Sequence, residues 1–398
     1  MPDRGRERSI KLARRRFLHL TAGVAALPAL SPPYPATAQS APDSYQIAQA
    51  TPHTTPSERA AMSNLANAFM QKYDVPGLSV AVGRAGALLY EDAFGLADRE
   101  KREACSSMHL FRIASVTKPI TSVAIFSLIE ANRIRLTDRI FGPGALTGTD
   151  YASPPYHPGA SEITVEHLLT HTGGGWSNAR ADPMFLNPEM DHPQLIAWTL
   201  RNRPLDQPPG QQYAYSNFGY CVLGRVIEKI TAQPYATYVR NAVLSRCGIN
   251  DMTIAGNTLA ERHAEEVKYY GQGDNPYGMN VTRMDSHGGW IARPAAMVKF
   301  LMHVDGFAQS NILRPQTIQT MTAPSAANAG YAKGWAVNTA HNWWHTGSLP
   351  GTASIAVRTH SGFCWTAFAN TRRSNSPLEA DLDKLVWNMV HEVRSWPV

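Results

Sequence analysis

The tetrad Ser115-Val116-Thr117-Lys118 stands at the start of a long apolar run that continues through residues 120–131. If this run is a helix, residues three apart share a face, so the Lys118 amine lies beside the Ser115 hydroxyl. A serine hydroxyl is a weak nucleophile, and an amine whose pKa has been lowered by burial can take its proton. Because the run is apolar on several faces, it predicts a buried central helix, where such an amine is found. The tetrad alone also fits an ordinary helix start with a solvated lysine.

Two further motifs follow the tetrad in the chain. Tyr215-Ser216-Asn217 comes about one hundred residues later, and His345-Thr346-Gly347 about 130 residues after that. In this order the motifs resemble those of the class C β-lactamase / serine D-alanyl-D-alanine carboxypeptidase family, which also contains esterases and D-aminopeptidases. Other signatures of the family are similar to four stretches of this chain, residues 75–82, 90–98, 163–174 and 288–291. The resemblance covers roughly residues 58–395.

The resemblance implies roles for three residues at the centre of the reaction. Ser115 is expected to attack the substrate and become acylated. Lys118 and Tyr215 are expected to share the activation of Ser115 and the delivery of a proton to the leaving group. Which of the two is the principal base stays open, and a coupled pair is one answer.

The resemblance also implies the residues that bind the substrate. Asn217 is expected to orient Lys118 and the acyl amide or carbonyl group. The backbone N–H groups of the nucleophile and of Ser348 are expected to form the oxyanion hole, where one lost donor typically costs about 10²–10³ in rate. His345 and Thr346, followed by Gly347, are expected to line the pocket on the edge of a strand.

The third motif departs from the family pattern at its first position. β-Lactamases of this class carry lysine there, whereas this chain has His345, as carboxypeptidase and aminopeptidase relatives do. A neutral imidazole binds a substrate carboxylate less strongly than a fixed cation does. We therefore expect inefficient β-lactam turnover, with the Ser/Lys/Tyr machinery unaffected.

Two other histidines lie in segments whose sequence matches all or part of a catalytic motif. His171-Thr172-Gly173 repeats the third motif, but it follows a helix-like stretch, so we predict a helix C-terminal cap and turn without a catalytic role. His287 lies in a segment that resembles the nucleophile elbow of α/β-hydrolases, but Met284 stands where the first glycine belongs and no strand leads in.

The first 38 residues predict an export signal. Arg14-Arg15-Arg16-Phe17-Leu18 matches the twin-arginine pattern, an apolar stretch follows, and an A-x-A site ends at Ala38. After residue 38 the chain holds 30 basic and 29 acidic residues, so no nucleic-acid surface is indicated. We expect a periplasmic or secreted protein with no stable membrane span after signal removal.

The four cysteines are widely spaced, without a C-x-x-C pattern or paired histidines. A metal site is therefore not expected. We expect mostly free, buried thiols with one disulfide possible. The acyl-enzyme chemistry needs no cofactor, and the expected partner is a small-molecule or peptide substrate: an ester, a D-amino peptide or a β-lactam-like compound.

Periodicity predicts the remaining elements. A flexible leader is expected over 39–57, and a helical subdomain over roughly 140–325 is expected between two halves of a sheet. The predicted helices are 59–73, 220–230, 294–303 and 377–394, and the predicted strands are 77–82, 87–94, 334–338, 353–357 and 364–368. With the resemblance, these elements imply an α+β (α/β sandwich) fold, an antiparallel sheet flanked by helices with the site in the cleft beside an all-helical subdomain.

The sequence thus predicts an exported serine hydrolase that cleaves an ester or amide/peptide bond through a Ser115 acyl-enzyme. D-Ala-D-Ala carboxypeptidase, D-aminopeptidase and esterase activities all fit. The alternatives are a penicillin-binding sensor or scaffold that is acylated without turnover, and a weak β-lactamase.

Overall fold

A computed structural model describes residues 54–307 and 311–396. The predicted export signal and nearly all of the predicted leader lie outside these residues. The first helix begins at Pro56, three residues before the predicted start. Thr55 caps it, Pro56 opens it, and the Glu58 side chain completes a capping box with Thr55, so the turn is stabilised from both sides.

The predicted helices are present to within a few residues at their ends, and the structure adds three that were not predicted, at residues 192–202, 235–239 and 315–322. The described helices are α1 (Pro56–Tyr73), α2 (Thr117–Glu130), α3 (Val165–Leu169), α4 (His192–Asn202), α5 (Asn217–Thr231), α6 (Tyr235–Val239), α7 (Pro294–Met302), α8 (Pro315–Thr322) and α9 (Leu378–Glu392).

The strands form one large antiparallel sheet and two small sheets. They are β1 (Gly77–Arg84), β2 (Ala87–Asp98), β3 (Glu103–Ala104), β4 (Phe111–Arg112), β5 (Thr253–Ile254), β6 (Tyr270–Gly271), β7 (Trp290–Ala292), β8 (Ala336–Val337), β9 (Trp343–Leu349), β10 (Thr352–Arg358), β11 (Phe363–Ala369) and β12 (Thr371–Arg372). The large sheet has the order β3-β2-β1-β11-β10-β9-β8, so the two ends of the chain supply adjacent strands in its centre.

The large sheet is covered on both faces. Along β1, Val80 and Val82 pack into one apolar cluster with α1 and α9, whereas Ala81 packs into the other. This alternation is the period-two pattern of a strand buried on both sides. The last helix presents its predicted stripe, which includes Leu382 and Met389, to the first cluster. The predicted α+β sandwich is confirmed.

The second cluster contains α2, which is buried on all sides as predicted: eleven of its fourteen residues are buried. The region between the two halves of the sheet is largely helical, from α3 to α8. It is not all-helical, because β5 and β7 extend β4 into a small sheet and β6 pairs with β12. These two- and three-residue strands are too short for periodicity to indicate.

All four cysteines, Cys105, Cys221, Cys247 and Cys364, are free and buried, so the possible disulfide is not formed. No helix within residues 54–307 and 311–396 has both the length and the apolar character to cross a membrane.

Candidate active site

Ser115 lies in a single 3₁₀ turn, Ala114–Val116, that joins β4 to α2. The sequence predicts this residue inside the helix, but α2 begins only at Thr117. Ala114 takes a left-handed conformation, with φ of 46°, which is strained for a residue with a side chain. The turn leaves Ser115 half-buried between two fully buried neighbours, so its hydroxyl is accessible on an otherwise closed segment.

Lys118 lies beneath Ser115 and is completely buried. Its Nζ is 3.1 Å from Ser115 Oγ, 2.7 Å from Asn217 Oδ1 and 3.1 Å from the carbonyl oxygen of His287. Burial holds the pKa of Lys118 well below its ordinary value, and the carboxylate of Asp182 opposes this only in part. Burial therefore favours the neutral form of this amine.

A neutral amine has two N–H donors and one lone pair. The amide oxygen of Asn217 and the carbonyl oxygen of His287 can only accept hydrogen bonds, so they take both hydrogens of Lys118. The third contact of Nζ is Ser115 Oγ, to which a charged amine would donate. In the neutral amine the lone pair is left to face this hydroxyl. In this state Lys118 can accept the proton of Ser115.

The second motif is held by the start of α5. Ser216, and not Asn217, is the N-cap, because its hydroxyl accepts from the backbone N–H of Gly219. Asn217 is the first residue of the helix. Its Nδ2 donates to Asn178 Oδ1 at 3.0 Å, which fixes the amide with its oxygen towards Lys118.

Tyr215 packs against the lysine. The Lys118 Nζ lies 4.8 Å from the centre of the Tyr215 ring. Burial raises the pKa of Tyr215 far above its ordinary value, and a hydrogen bond with the Ser115 side chain offsets the rise only in part. A phenol in this environment keeps its proton, so it can donate to an oxygen or nitrogen but is a poor base.

The third motif lies on β9, which packs beside the turn that carries Ser115. Within the described residues β8 pairs only with Trp343 and Trp344, so the outer edge of β9 is unpaired from His345 onwards. Gly347 is required for the close approach: a Cβ there would lie 2.2 Å from Ser354 Oγ and 2.3 Å from the carbonyl oxygen of Ile113. Thr346 is exposed and Ser348 half-buried along this edge.

His345 is the end of a directed chain of hydrogen bonds. The backbone N–H of Ser216 donates to His171 Nδ1, so the ring proton of His171 is on Nε2, 3.1 Å from the Tyr331 hydroxyl. That hydroxyl lies 3.1 Å from His345 Nε2, and His345 Nδ1 donates to the carbonyl oxygen of Thr346. His171 is therefore neutral. The burial of His345 favours the neutral ring as well, in which Nε2 accepts from the Tyr331 hydroxyl.

Burial agrees with this assignment. It lowers the pKa of His345 to about 3, with a further contribution from Lys118, and it holds the pKa of His171 well below its usual value. His171 takes the predicted position after α3, with a left-handed φ of 56°. The prediction of a purely structural turn missed its side chain, whose ring centre is 4.2 Å from that of Tyr215.

Sequence reasoning also missed Asp182. This buried carboxylate accepts from the backbone N–H of Asn217 at 2.7 Å and from that of Met184 at 2.9 Å. Burial raises its pKa to about 6 in spite of these bonds and of Lys118. Asp182 follows a loop and belongs to no motif of the chain, and neither Asn178 nor Tyr331 does, so no pattern pointed to them.

Comparisons with known proteins show the family of this chain. A family model described as Beta-lactamase matches residues 62–386. Protein flp of Staphylococcus aureus is 24% identical over 299 residues, which are 72% of this chain and 58% of flp. This chain thus spans less than two thirds of that relative.

Solved structures share the fold at low identity. D-amino acid amidase from Ochrobactrum anthropi, complexed with D-phenylalanine, has a TM-score of 0.70 at 20% identity over 84% of this chain and 98% of the amidase. The Beta-Lactamase/D-Alanine Carboxypeptidase from Pseudomonas syringae has a TM-score of 0.68 at 17% identity over 86% of this chain and all of that protein. At this identity the likeness shows the fold alone.

Proposed function

Because the chain belongs to the Beta-lactamase family, we propose that it is a serine hydrolase that cleaves an ester or amide bond through an acyl-enzyme on Ser115. The observation that carries this proposal is the set of three contacts of the buried Lys118 amine. Its Nζ lies against the oxygens of Asn217 and His287, which can only accept, and its third contact is the Ser115 hydroxyl.

The proposed reaction begins when Ser115 Oγ attacks the scissile carbonyl carbon and its proton passes to Lys118 Nζ. The carbonyl oxygen becomes an oxyanion, which the backbone N–H groups of Ser115 and Ser348 are suited to stabilise at the edge of β9. The carbon–leaving-group bond then breaks. The leaving amine or alkoxide takes a proton from Tyr215, which recovers one from Lys118.

Deacylation repeats these steps with water. Water attacks the acyl-enzyme carbonyl and gives its proton to Lys118, and Ser115 leaves with that proton to restore the resting site. In this assignment Lys118 is the base and Tyr215 the acid, because burial favours the neutral form of both side chains.

We propose that the substrate is a D-amino peptide, a D-amino-acid amide or a small ester. The D-amino acid amidase and the D-Alanine Carboxypeptidase that share this fold support the first two of these substrate classes. The neutral His345 disfavours efficient β-lactam turnover, so penicillins are expected to acylate Ser115 and leave slowly. The twin-arginine pattern of residues 14–18 supports export to the periplasm or the medium.

The test is time-resolved mass spectrometry of the protein and of Ser115→Ala with a fluorophosphonate, a penicillin and p-nitrophenyl acetate. We expect a fluorophosphonate adduct on Ser115, continuing release of p-nitrophenol, and neither in the variant. A stable adduct without product release would instead identify a sensor. Unchanged turnover in Ser115→Ala would refute the proposed mechanism.

A further inference from the structure

A carboxylate from another layer of the fold reaches the third motif. Glu379 lies in the first turn of α9, and its Oε1 accepts a hydrogen bond from Ser348 Oγ at 2.8 Å. Ser348 is the residue whose backbone N–H is proposed for the oxyanion hole. The Glu379 carboxylate is therefore one hydrogen bond away from a residue of the proposed oxyanion hole, at the edge of β9.

Glu379 is half-buried and forms no ion pair with any residue of the described chain. Its neighbours in the fold are paired elsewhere. Asp381, two residues on, binds Lys72 and Lys384, and Arg372 binds Asp274. The helix dipole stabilises a negative side chain in the first turn of a helix. This explains an acidic residue at the position, but it does not explain the bond to Ser348.

The remaining side chains of the strand edge carry no charge. His345 is buried, with its Nδ1 donating to the carbonyl oxygen of Thr346 and its Nε2 at the Tyr331 hydroxyl, and burial favours the neutral ring. Thr346 and Ser348 are hydroxyl side chains. The charge next to this edge of β9, that of Glu379, is thus negative. A site for a substrate that ends in a carboxylate requires a positive charge instead.

We propose that Glu379 is a specificity-determining residue that selects substrates with a cationic group, a protonated amine or a quaternary ammonium, next to the scissile carbonyl, and disfavours those with a carboxylate there. This inference rests on the proposed function. Among the substrates proposed above, the inference favours amides, esters and peptides with a free amine over peptides that end in a carboxylate. For a half-buried carboxylate we expect kcat/KM to rise about tenfold for each added unit of positive charge on the substrate.

The experiment uses thioesters, because their thiol products are measured by the same colour reaction. One set varies the leaving thiol: acetylthiocholine (cationic), S-acetyl-2-mercaptoethanol (neutral) and S-acetylthioglycolate (anionic). The second set varies the acyl group: S-ethyl thioesters of trimethylglycine, butyrate and succinate. The readout is the ratio of kcat/KM for the cationic to the anionic member of a set, measured separately for each variant.

The variants are Glu379→Gln, which keeps an acceptor for Ser348, Glu379→Lys, and the control Glu392→Gln. The control removes the same charge from the same helix, but about 20 Å further along it. We expect a ratio well above one in at least one set, which falls about 100-fold in Glu379→Gln because the two members differ by two units of charge. The ratio should fall again in Glu379→Lys and stay unchanged in Glu392→Gln. If Glu379→Lys does not fold, Glu379→Gln decides.

A ratio that is the same in wild type and Glu379→Gln in both sets would overturn the inference. The ratio should also fall in wild type as NaCl is raised, since screening weakens half-exposed charges; a salt-independent ratio counts against it as well. Failure of the proposed function looks different: the neutral thioesters would not be hydrolysed, or would be hydrolysed equally by Ser115→Ala.

Discussion

Replacing Tyr331 with phenylalanine tests the hydrogen-bond chain that holds His345 neutral. The change removes one oxygen from a buried ring and opens no large cavity. It leaves two buried groups without partners, the Nε2–H of His171 and the Nε2 acceptor of His345. An unsatisfied buried polar group costs about 1–3 kcal/mol. The free energy of unfolding should therefore fall by about 2–6 kcal/mol for the two groups.

The assay is urea unfolding at pH 7.5, followed by fluorescence and circular dichroism. Tyr213→Phe is the matched control, because Tyr213 packs on the same rings, His171 and Tyr331, while its hydroxyl forms no hydrogen bond within the described residues. We expect the control to lose less than about 0.5 kcal/mol. If both variants lose the same amount, the chain does not contribute to stability and the neutral assignment of His345 fails.

Three further predictions concern pH and packing. The kcat/KM on a neutral ester, measured as a function of pH, should rise as Lys118 loses its proton, with a midpoint well below 10.5. A value of kcat/KM that falls from pH 6 to 9 would refute Lys118 as the base. Burial lowers the pKa values of five histidines, most strongly those of His171, His287 and His345. The unfolded chain therefore binds more protons below pH 6.5, and stability is lost as pH falls, by about 1.4 kcal/mol per pH unit for each of these three groups. Urea unfolding at pH 7.5 and 5.5 measures this, and no loss would contradict the neutral state of the buried histidines. Gly347→Ala should push β9 away from the Ser115 turn and lower kcat/KM about 100-fold. The control Gly173→Ala should change kcat/KM little, because its added Cβ meets only Leu168, at 3.5 Å. Equal activity of the two variants would show that the close approach of β9 is not needed.

Local chemistry accounts for what could be read from the chain. The apolar run after Lys118 predicted a fully buried helix because no face of it is polar. The hairpin of β1 and β2 was predicted from alternation and a glycine-containing turn, and the structure closes it with two left-handed residues, Ala85 and Gly86. Ser115 was placed in the helix itself because a spacing of three does not distinguish a helix from the 3₁₀ turn that precedes it.

The partners of the site could not be read in the same way. His171 was interpreted as a turn from its backbone context, which is correct, but the direction of a side chain depends on which loop packs against it. Asp182 reaches Asn217 from 35 residues away, and Glu379 reaches Ser348 from 31 residues away. Neither contact follows from periodicity, because each joins separate elements.

The sequence by itself determined the elements, the buried helix and the identities of the three motifs, since these depend on neighbours within a few residues. The tertiary structure decided the protonation states of the side chains in the site. Whether Lys118 and His345 are neutral depends on the burial and the hydrogen-bond partners that distant segments provide. A pKa is a property of the surroundings of a group, and those surroundings exist only once the sheet, α2 and the loops around them have packed together.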